Sequence, residues 1–379
     1  MSASELTCAA AAGLLGWTWF GYPLVIWLFS RLRSEEQVAS VHTLPTVSAV
    51  LATRDDVGLI AARVADFLKA DYPGKSLEVV VGVDGATAAS LSAIRAACDL
   101  PRVTIVAADA GGGKVAGLNA AVRAATGDVL VFSDVQQRFA PDAIRRLVTR
   151  LVSDARLAVV GGALQLPGDL PDAAGRSPVE WYWAMERQLR AAEARLHSSV
   201  GVSGSIYVTR RADWQPMPSQ LILDDVWLPM RLVMGGGRVG YDLAAKAWDA
   251  RSTTSTVEKV RKVRTLTGNF QLMAWLPGVL VPFRNPIWLQ FVSHKLLRLL
   301  TPWLLMLLAV GMSGVLLERI GSTAMLRLLG AAGLAAGLVL IWPTARGKAL
   351  RLTGWVWSLQ VALVAATMNG LRGRWDVWR

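Results

Sequence analysis

Gly127-Asp-Val-Leu-Val-Phe-Ser-Asp134-Val-Gln136-Gln-Arg-Phe139 is the stretch whose reading decides the fold. Residues 129–132 form an unbroken run of large apolar side chains, which predicts a short strand covered on both faces, as in a parallel sheet. The run stops at an acidic residue, Asp134, in what reads as a loop. Ligands of open α/β sheets bind outside the carboxyl ends of the strands, where Asp134 would then sit. Alone, an Asp after a strand more often caps the next helix. Asp142, directly after Pro141, is available for that cap or dipole role instead.

Working outward, the same strand-then-turn pattern repeats. Strands are predicted at 46–51, 77–83 and 103–107, and apparent helices follow at 57–70 and after Thr87. This alternation argues for a doubly wound, mostly parallel sheet. Three strands end in acids, at Asp55/Asp56, Asp84 and Asp134. Carboxylates gathered at one edge raise one another's pKa unless something positive lies between them. A cation together with a nucleotide would satisfy that arrangement, and magnesium often needs only one or two protein carboxylates. Three independent helix N-caps are the competing explanation. Gly111-Gly-Gly113 before Lys114 reads either as a phosphate cradle or as a flexible turn.

Farther along, a strand is predicted at 159–164 and an aromatic-rich helix at 178–196, with Trp181, Tyr182 and Trp183 read as packing residues. Gly201 to Tyr207 is a small-residue turn entering a strand, suited to close approach of a substrate or simply to a tight bend. Asp224-Asp225 stands at the mouth of a helix. The pair are either dipole partners or a general base tuned by its neighbour.

Composition adds a second theme. The 379 residues are 53% hydrophobic, include 16 Trp and have a mean hydropathy of +0.38, too apolar for an ordinary soluble enzyme. Two cysteines, Cys8 and Cys98, exclude a disulfide framework, and three His disfavour a His-based zinc site. Residues 8–29 carry no charge and are followed by Arg31 and Arg33, which predicts a retained transmembrane anchor with Arg31 on the cytoplasmic side. Apolar segments at 300–317, 323–342 and 354–371 are expected to follow. Between them, Glu318 and Arg319 would lie on an external loop, and Arg346, Lys348 and Arg351 on a cytoplasmic one. Amphipathic stretches at 260–282 and 286–298, with Trp275, Trp288 and His294, suggest helices lying on the bilayer. The net charge of +12 fits juxtamembrane residues against anionic lipid, or a site for a diphosphate. No nucleic-acid-binding module accompanies it.

Six motifs in order then carry a resemblance: Ala52-Thr-Arg-Asp-Asp56, Val83-Asp84-Gly-Ala-Thr87, Gly113-Lys-Val-Ala-Gly-Leu-Asn119, Phe132-Ser-Asp134-Val-Gln136, Gly201-Val-Ser-Gly-Ser-Ile-Tyr207 and Leu223-Asp-Asp225. The set resembles membrane-anchored family 2 glycosyltransferases, relatives of cellulose, chitin and hyaluronan synthases and of bacterial exopolysaccharide glycosyltransferases. The resemblance implies a GT-A fold, that is, an α/β nucleotide-sugar-binding domain with a mostly parallel, Rossmann-like sheet, accompanied by transmembrane and interfacial helices. It implies an anchor over 1–34, a cytoplasmic catalytic domain over 45–255, interfacial helices over 256–299 and three hydrophobic helices over 300–379.

By the same resemblance, Asp225 is the catalytic base with Asp224 beside it. Thr53, Asp56, Asp84, Lys114, Asn119, Ser133, Asp134, Arg261 and Arg264 would bind the nucleotide sugar, with Asp56 and Asp84 on the uridine. Ser203 and Gly204 would face the acceptor, and Asp134 with Gln136 would hold Mg²⁺ or Mn²⁺. The implied activity is inverting transfer from a UDP-sugar to a lipid-linked or growing polysaccharide acceptor at the bacterial inner membrane. A processive synthase and a catalytically silent binding subunit are the alternatives.

Three departures from the family pattern stand out. Asp-x-Asp is here Asp134-Val-Gln136, Gln-x-x-Arg-Trp is Arg261-Lys-Val-Arg264-Thr265, and the first Asp of Val-Asp-Asp-Gly is Val83. The first removes a metal carboxylate. The second removes an aromatic platform while leaving Arg264 able to fork onto a phosphate.

Overall fold

The computed structural model describes residues 1–33, 43–54, 56–109, 111–169, 177–249, 255–341 and 343–377, with the side chains of most residues in 320–352 outside the description. Asp55, one of the expected strand-end acids, lies outside the described residues. The chain divides into two compact units.

The larger unit comprises Ile26–Thr253, Gln271–Phe291 and Trp375–Arg379. Its centre is an eight-stranded sheet built from β1 (Val47–Thr53), β2 (Leu77–Val83), β3 (Val103–Ala107), β4 (Val129–Ser133), β5 (Gln137–Phe139), β6 (Leu157–Gln165), β7 (Tyr207–Arg210) and β8 (Arg238–Asp249). The order across the sheet is β3-β2-β1-β4-β7-β6-β8-β5. The first four strands are parallel, as the alternation of strands and helices predicts. β7 then runs antiparallel to both β4 and β6, so the sheet is mixed. β5 and β8, which pair antiparallel at the far edge, have no counterpart in the sequence reading. Among the expected strands and helices, 178–196 matches the helix Pro178–Leu196 end to end.

Every residue of β1 is buried, and the strand sorts its side chains between two cores by alternation. Val47, Ala49 and Leu51 join Ile60, Val64 and Phe67 of the helix Val57–Leu68 and Ile144, Leu147 and Leu151 of the helix Ala143–Ser153. Val50 and Ala52 face the other way, toward Val115, Leu118 and Ala121 of the helix Gly113–Ala124. Two apolar layers on one sheet explain why the strands read as continuous rather than alternating apolar runs. The second helix approaches closely: a Cβ on Gly82 of β2 would lie 2.0 Å from the carbonyl oxygen of Gly117. Only glycine at both positions lets helix and strand meet there, and that contact fixes where Lys114 projects.

Because β1 has β2 on one side and β4 on the other, the chain reverses its winding direction at the β1–β4 boundary. That boundary is a topological switch point, where crevices open at the carboxyl ends of the strands. At the opposite, amino-terminal edge, Glu78 Oε1 accepts hydrogen bonds from Ser48 Oγ (2.5 Å), Thr126 N (2.7 Å), Thr126 Oγ1 (2.9 Å) and Gly127 N (3.3 Å).

The smaller unit comprises Met1–Val25, Thr254–Phe270 and Val292–Arg374. Among the described residues, two helices, Ala3–Arg31 and Thr301–Arg319, are long and apolar enough to cross a membrane. Within this unit they pack tightly, since a Cβ on Gly311 would come within 2.7 Å of the Cys8 amide nitrogen; small residues commonly permit such approach between apolar helices. Where three apolar segments are expected after residue 300, the backbone forms two helices, Thr301–Ile341 and Pro343–Leu371. Glu318 and Arg319 therefore stand within a helix, not on an external loop. Nothing stronger than Gly321-Ser322 interrupts the sequence there, and no proline stops the helix before Pro343. Arg346, Lys348 and Arg351, expected on a loop, also fall within a helix; their side chains are outside the description. His294 is buried beside Tyr22, with ring centroids 6.5 Å apart, in keeping with a structural role.

Candidate active site

The carboxyl ends of β1, β2 and β4 lie side by side, with Thr53 registered on Val83 and Leu51 on Ser133. Each strand delivers an expected site residue to this edge. Asp84 follows β2 and is buried. Arg54, the residue after β1, forms an ion pair with Asp84 Oδ2. Asp84 Oδ1 is buried with no hydrogen-bond partner among the described residues. An orphaned carboxylate oxygen costs about 1–3 kcal/mol, and more when charged. A ligand N–H would satisfy it.

Asp134 follows β4 and is one-third exposed. Its Oδ1 lies 3.1 Å from Lys114 Nζ, and its Oδ2 accepts from Ser205 Oγ at 3.3 Å. Lys114 sits in the first turn of its helix, after a turn in which Gly111 and Gly113 take φ of +81° and +70°. The Gly111–Gly113 triplet thus serves as the turn that aims the lysine. Lys114 Nζ also reaches Asp224 Oδ1 at 3.2 Å. Burial alone would depress its pKa. The carboxylates of Asp134, Asp224 and Asp225 more than reverse this and hold it above the ordinary lysine value. Of the strand-end acids predicted to gather at one edge, Asp134 alone meets this lysine, which joins it to Asp224 and Asp225, while Asp84 pairs with Arg54.

Asp224 and Asp225 open the helix Asp224–Met234. Asp224 is buried, and both of its oxygens are engaged: Oδ1 by Lys114 and Oδ2 by the Tyr207 hydroxyl at 3.3 Å. Burial, followed by the neighbouring carboxylates of Asp224 and Asp225, drives the Tyr207 pKa well above its usual value, so this phenol stays a donor. The Tyr207 ring stacks on Phe132 at 4.6 Å, and Phe132 stacks in turn on Trp214 at 5.0 Å. Asp225 is the more open of the two acids. Its Oδ2 accepts from Gly204 N at 3.1 Å, and its carbonyl accepts from Val202 N at 3.0 Å. The Gly201–Tyr207 turn is therefore the seat of the Asp225 carboxylate. Ser203, buried, and Gly204 belong to that seat.

The helix-cap explanation holds for one of the three strand-end acids. Asp56 Oδ1 accepts from Leu59 N at 2.9 Å and caps the helix Val57–Leu68. Asp84 caps nothing, since Thr87 does so for the helix Ala88–Ala97. Asp134 meets Lys114 instead. Asp142 occupies a cap position without a side-chain cap bond.

Asn119 uses both ends of its amide on the Met217 backbone, donating to its carbonyl at 2.9 Å and accepting from its N–H at 3.0 Å. It holds a loop. Ser133 is buried, donating to the Asp134 carbonyl at 2.9 Å and accepting from Arg63 Nη2 at 2.8 Å. Thr53 is buried, and its carbonyl accepts from the Asp84 N–H at 3.1 Å. Arg261 and Arg264 lie on the helix Ser255–Trp275, in the segment assigned to the smaller unit. Trp181, read as a packing residue, is instead 62% exposed.

Among the described residues no group of three or more His, Cys, Asp or Glu could hold a metal by itself. The donor set at the expected position is one carboxylate, Asp134, and one amide, Gln136. That set suits a hard divalent cation whose remaining positions are filled by phosphate oxygens and water.

Sequence reasoning missed Arg54, Arg63, Arg190 and Ser205. Arg190, on the helix Pro178–Leu196, is buried and pairs with Glu186 at 3.2 Å. Burial lowers its pKa, and Glu186, Tyr241 and Asp225 outweigh that and raise it. Its i, i+4 spacing from Glu186 was the available signal.

A profile described as "Glycosyltransferase like family 2" matches residues 45–268. No curated protein matches the sequence. Among solved structures, the mannosyltransferase PcManGT from Pyrobaculum calidifontis, in complex with GDP-Man and Mn²⁺, is similar, with a TM-score of 0.70 and 23% identity over 97% of this chain and 99% of that one. At that identity the likeness establishes the shared GT-A fold. With a family profile covering more than half its length, the chain belongs to the family 2-like glycosyltransferases.

Proposed function

We propose that the protein transfers a sugar from a nucleoside-diphosphate sugar, a UDP-sugar first, to a lipid-linked or growing polysaccharide acceptor at the cytoplasmic face of the membrane, with inversion. The observation that carries this reading is the convergence of Asp134, Asp224 and Asp225 on Lys114 at the switch point, beside the orphaned Asp84 oxygen. Asp84 would accept an N–H of the nucleobase through Oδ1. Lys114 would turn from Asp134 and Asp224 toward the diphosphate, whose charge it partly neutralises as the sugar departs. A divalent metal at Asp134 and Gln136, when bound, would supply further neutralisation of the leaving group.

Asp225 is the better base of the pair, because Asp224 already spends both oxygens on Lys114 and Tyr207. Asp225 would take the proton of the acceptor hydroxyl as that oxygen attacks the anomeric carbon. The bond from that carbon to the diphosphate oxygen breaks in the same displacement. Asp224 would act by fixing Lys114.

Two apolar helices support an acceptor and a site at a membrane. A GDP-sugar is the second reading, favoured by the donor of the similar mannosyltransferase. The test is release of UDP or GDP by purified protein across a panel of both sugar classes with Mg²⁺ or Mn²⁺, followed by product sizing. Turnover with UDP-sugars is expected. Turnover confined to GDP-sugars would replace the donor assignment, and nucleotide binding without release from any sugar would leave a binding subunit.

A further inference from the structure

Arg63 is the largest fully buried side chain of the catalytic unit, and nothing in the chemistry above uses it. It projects from the helix Val57–Leu68, with its guanidinium lying over Phe67 (3.9 Å to the ring centroid) and Phe139 (4.3 Å). Those rings meet edge to face at 5.5 Å. One end of the fork pairs with Asp66. The other, Nη2, donates to Ser133 Oγ at 2.8 Å, and that hydroxyl donates onward to the Asp134 carbonyl at 2.9 Å.

A second arginine works on the same turn. Arg138 Nη1 donates to the carbonyls of Val135 (3.1 Å) and Gln137 (3.0 Å). The backbone carrying Asp134 and Gln136 is thereby tied at two carbonyls by Arg138 directly and at a third by Arg63 through the Ser133 hydroxyl. Burying a guanidinium is costly, and desolvation brings the Arg63 pKa down to about 10. A core needing only volume would be filled more cheaply by an apolar residue.

We propose that Arg63 is a positioning residue that, through the Ser133 hydroxyl, sets the Asp134-Val-Gln136 turn in the geometry from which the donor diphosphate is handled. The inference rests on the proposed glycosyl transfer at that turn. A planar two-ended fork held between two aromatic faces can link Asp66 to Ser133 rigidly. A lysine in the same place offers a point charge on a flexible stem. Displacements of about 1 Å in a reacting site can cost about a hundredfold in rate.

The experiment compares R63K, S133A, the double variant and D66A with the wild type. It measures kcat and KM for the donor, donor affinity by calorimetry and the thermal midpoint. R63K and S133A are each expected to lower kcat about tenfold. The double variant should be no slower than the slower single, because both remove one linkage. D66A, at a partly exposed residue one step removed, should lower kcat about threefold.

Unchanged kcat in R63K and S133A with only a lower thermal midpoint would overturn the proposal. So would fully multiplicative losses in the double variant, which would mean that Ser133 touches the donor independently of Arg63. Should R63K fail to fold, D66A decides: a kcat equal to wild type sinks the linkage. A wild-type protein that binds donor but never turns over would instead refute the proposed function, and the calorimetric arm separates the two failures.

Discussion

The two ends of the central sheet treat carboxylates in opposite ways. At the amino-terminal edge, Glu78 collects four donors from Ser48, Thr126 and Gly127 on one oxygen. Burial pushes its pKa up, but those hydrogen bonds outweigh this and hold it below the ordinary glutamate range. At the carboxyl edge, Asp134, Asp224 and Asp225 converge on Lys114, and Asp84 keeps a buried oxygen with no hydrogen-bond partner among the described residues. A carboxylate oxygen crowded by neighbouring hydroxyls and backbone amides serves the fold. Acids that share a mobile lysine side chain, or hold an oxygen in reserve, fit the proposed arrival of a ligand.

Substitutions should separate these edges. The largest effect is expected from D225N, which removes the proposed base while keeping the shape. Nucleotide release should fall by about a thousandfold or more in a steady-state assay, with the thermal midpoint unchanged. Retained turnover would move the base elsewhere.

K114M comes next. It leaves Asp134 and Asp224 without their common cation, and donor turnover should fall about a hundredfold. Because the folded-state pKa of Lys114 is raised, the ion pairs contribute stability in full below the lysine's unfolded value. That contribution is lost only as pH rises through the higher folded value. Wild type and K114M should therefore show parallel stability profiles across neutral pH and converge only in strong alkali, as measured by chemical denaturation.

D84N should raise the donor KM about tenfold with kcat little changed, because Asp84 would meet the nucleobase rather than the reacting atoms. At the other edge, E78A should leave kcat and KM at wild-type values and cost about 1–2 kcal/mol of stability, a figure kept low because the residue is partly exposed. Its depressed pKa means that the contribution is present above the unfolded glutamate value and lost as pH falls below it. The gap between E78A and wild type should thus close in acid.

Much of this contrast was readable in the residues. The apolar runs ending in Asp84 and Asp134 reveal the strands and the sheet edge on which these acids stand, because a parallel sheet buried on both faces leaves few other readings. Asp224-Asp225 and the Gly201–Tyr207 turn were visible as separate motifs. Their union, with the Gly204 amide on the Asp225 carboxylate, depends on contact across more than twenty residues that no local pattern encodes. A strand-end Asp before a helix looks the same in sequence whether it caps or binds, and Asp56 caps through Oδ1. The hold of Asn119 on Met217 is equally invisible to local pattern, the two lying far apart along the chain. The edge strand β5 and its neighbour β8 escape a sequence reading because partly exposed strands lack the continuous apolar signature of the central four. The helix through Glu318 and Arg319 shows the converse: two charges that suggest a loop stand in a helix because helix-forming residues surround them.

The most direct test is a crystal structure of the protein with UDP and Mn²⁺. The uracil N–H should lie on Asp84 Oδ1, and the diphosphate beside Asp134 with Lys114 Nζ turned toward it. A nucleotide bound elsewhere, with Lys114 still bridging Asp134 and Asp224 and Asp84 Oδ1 still unpartnered, would contradict the assignment of this edge as the donor site.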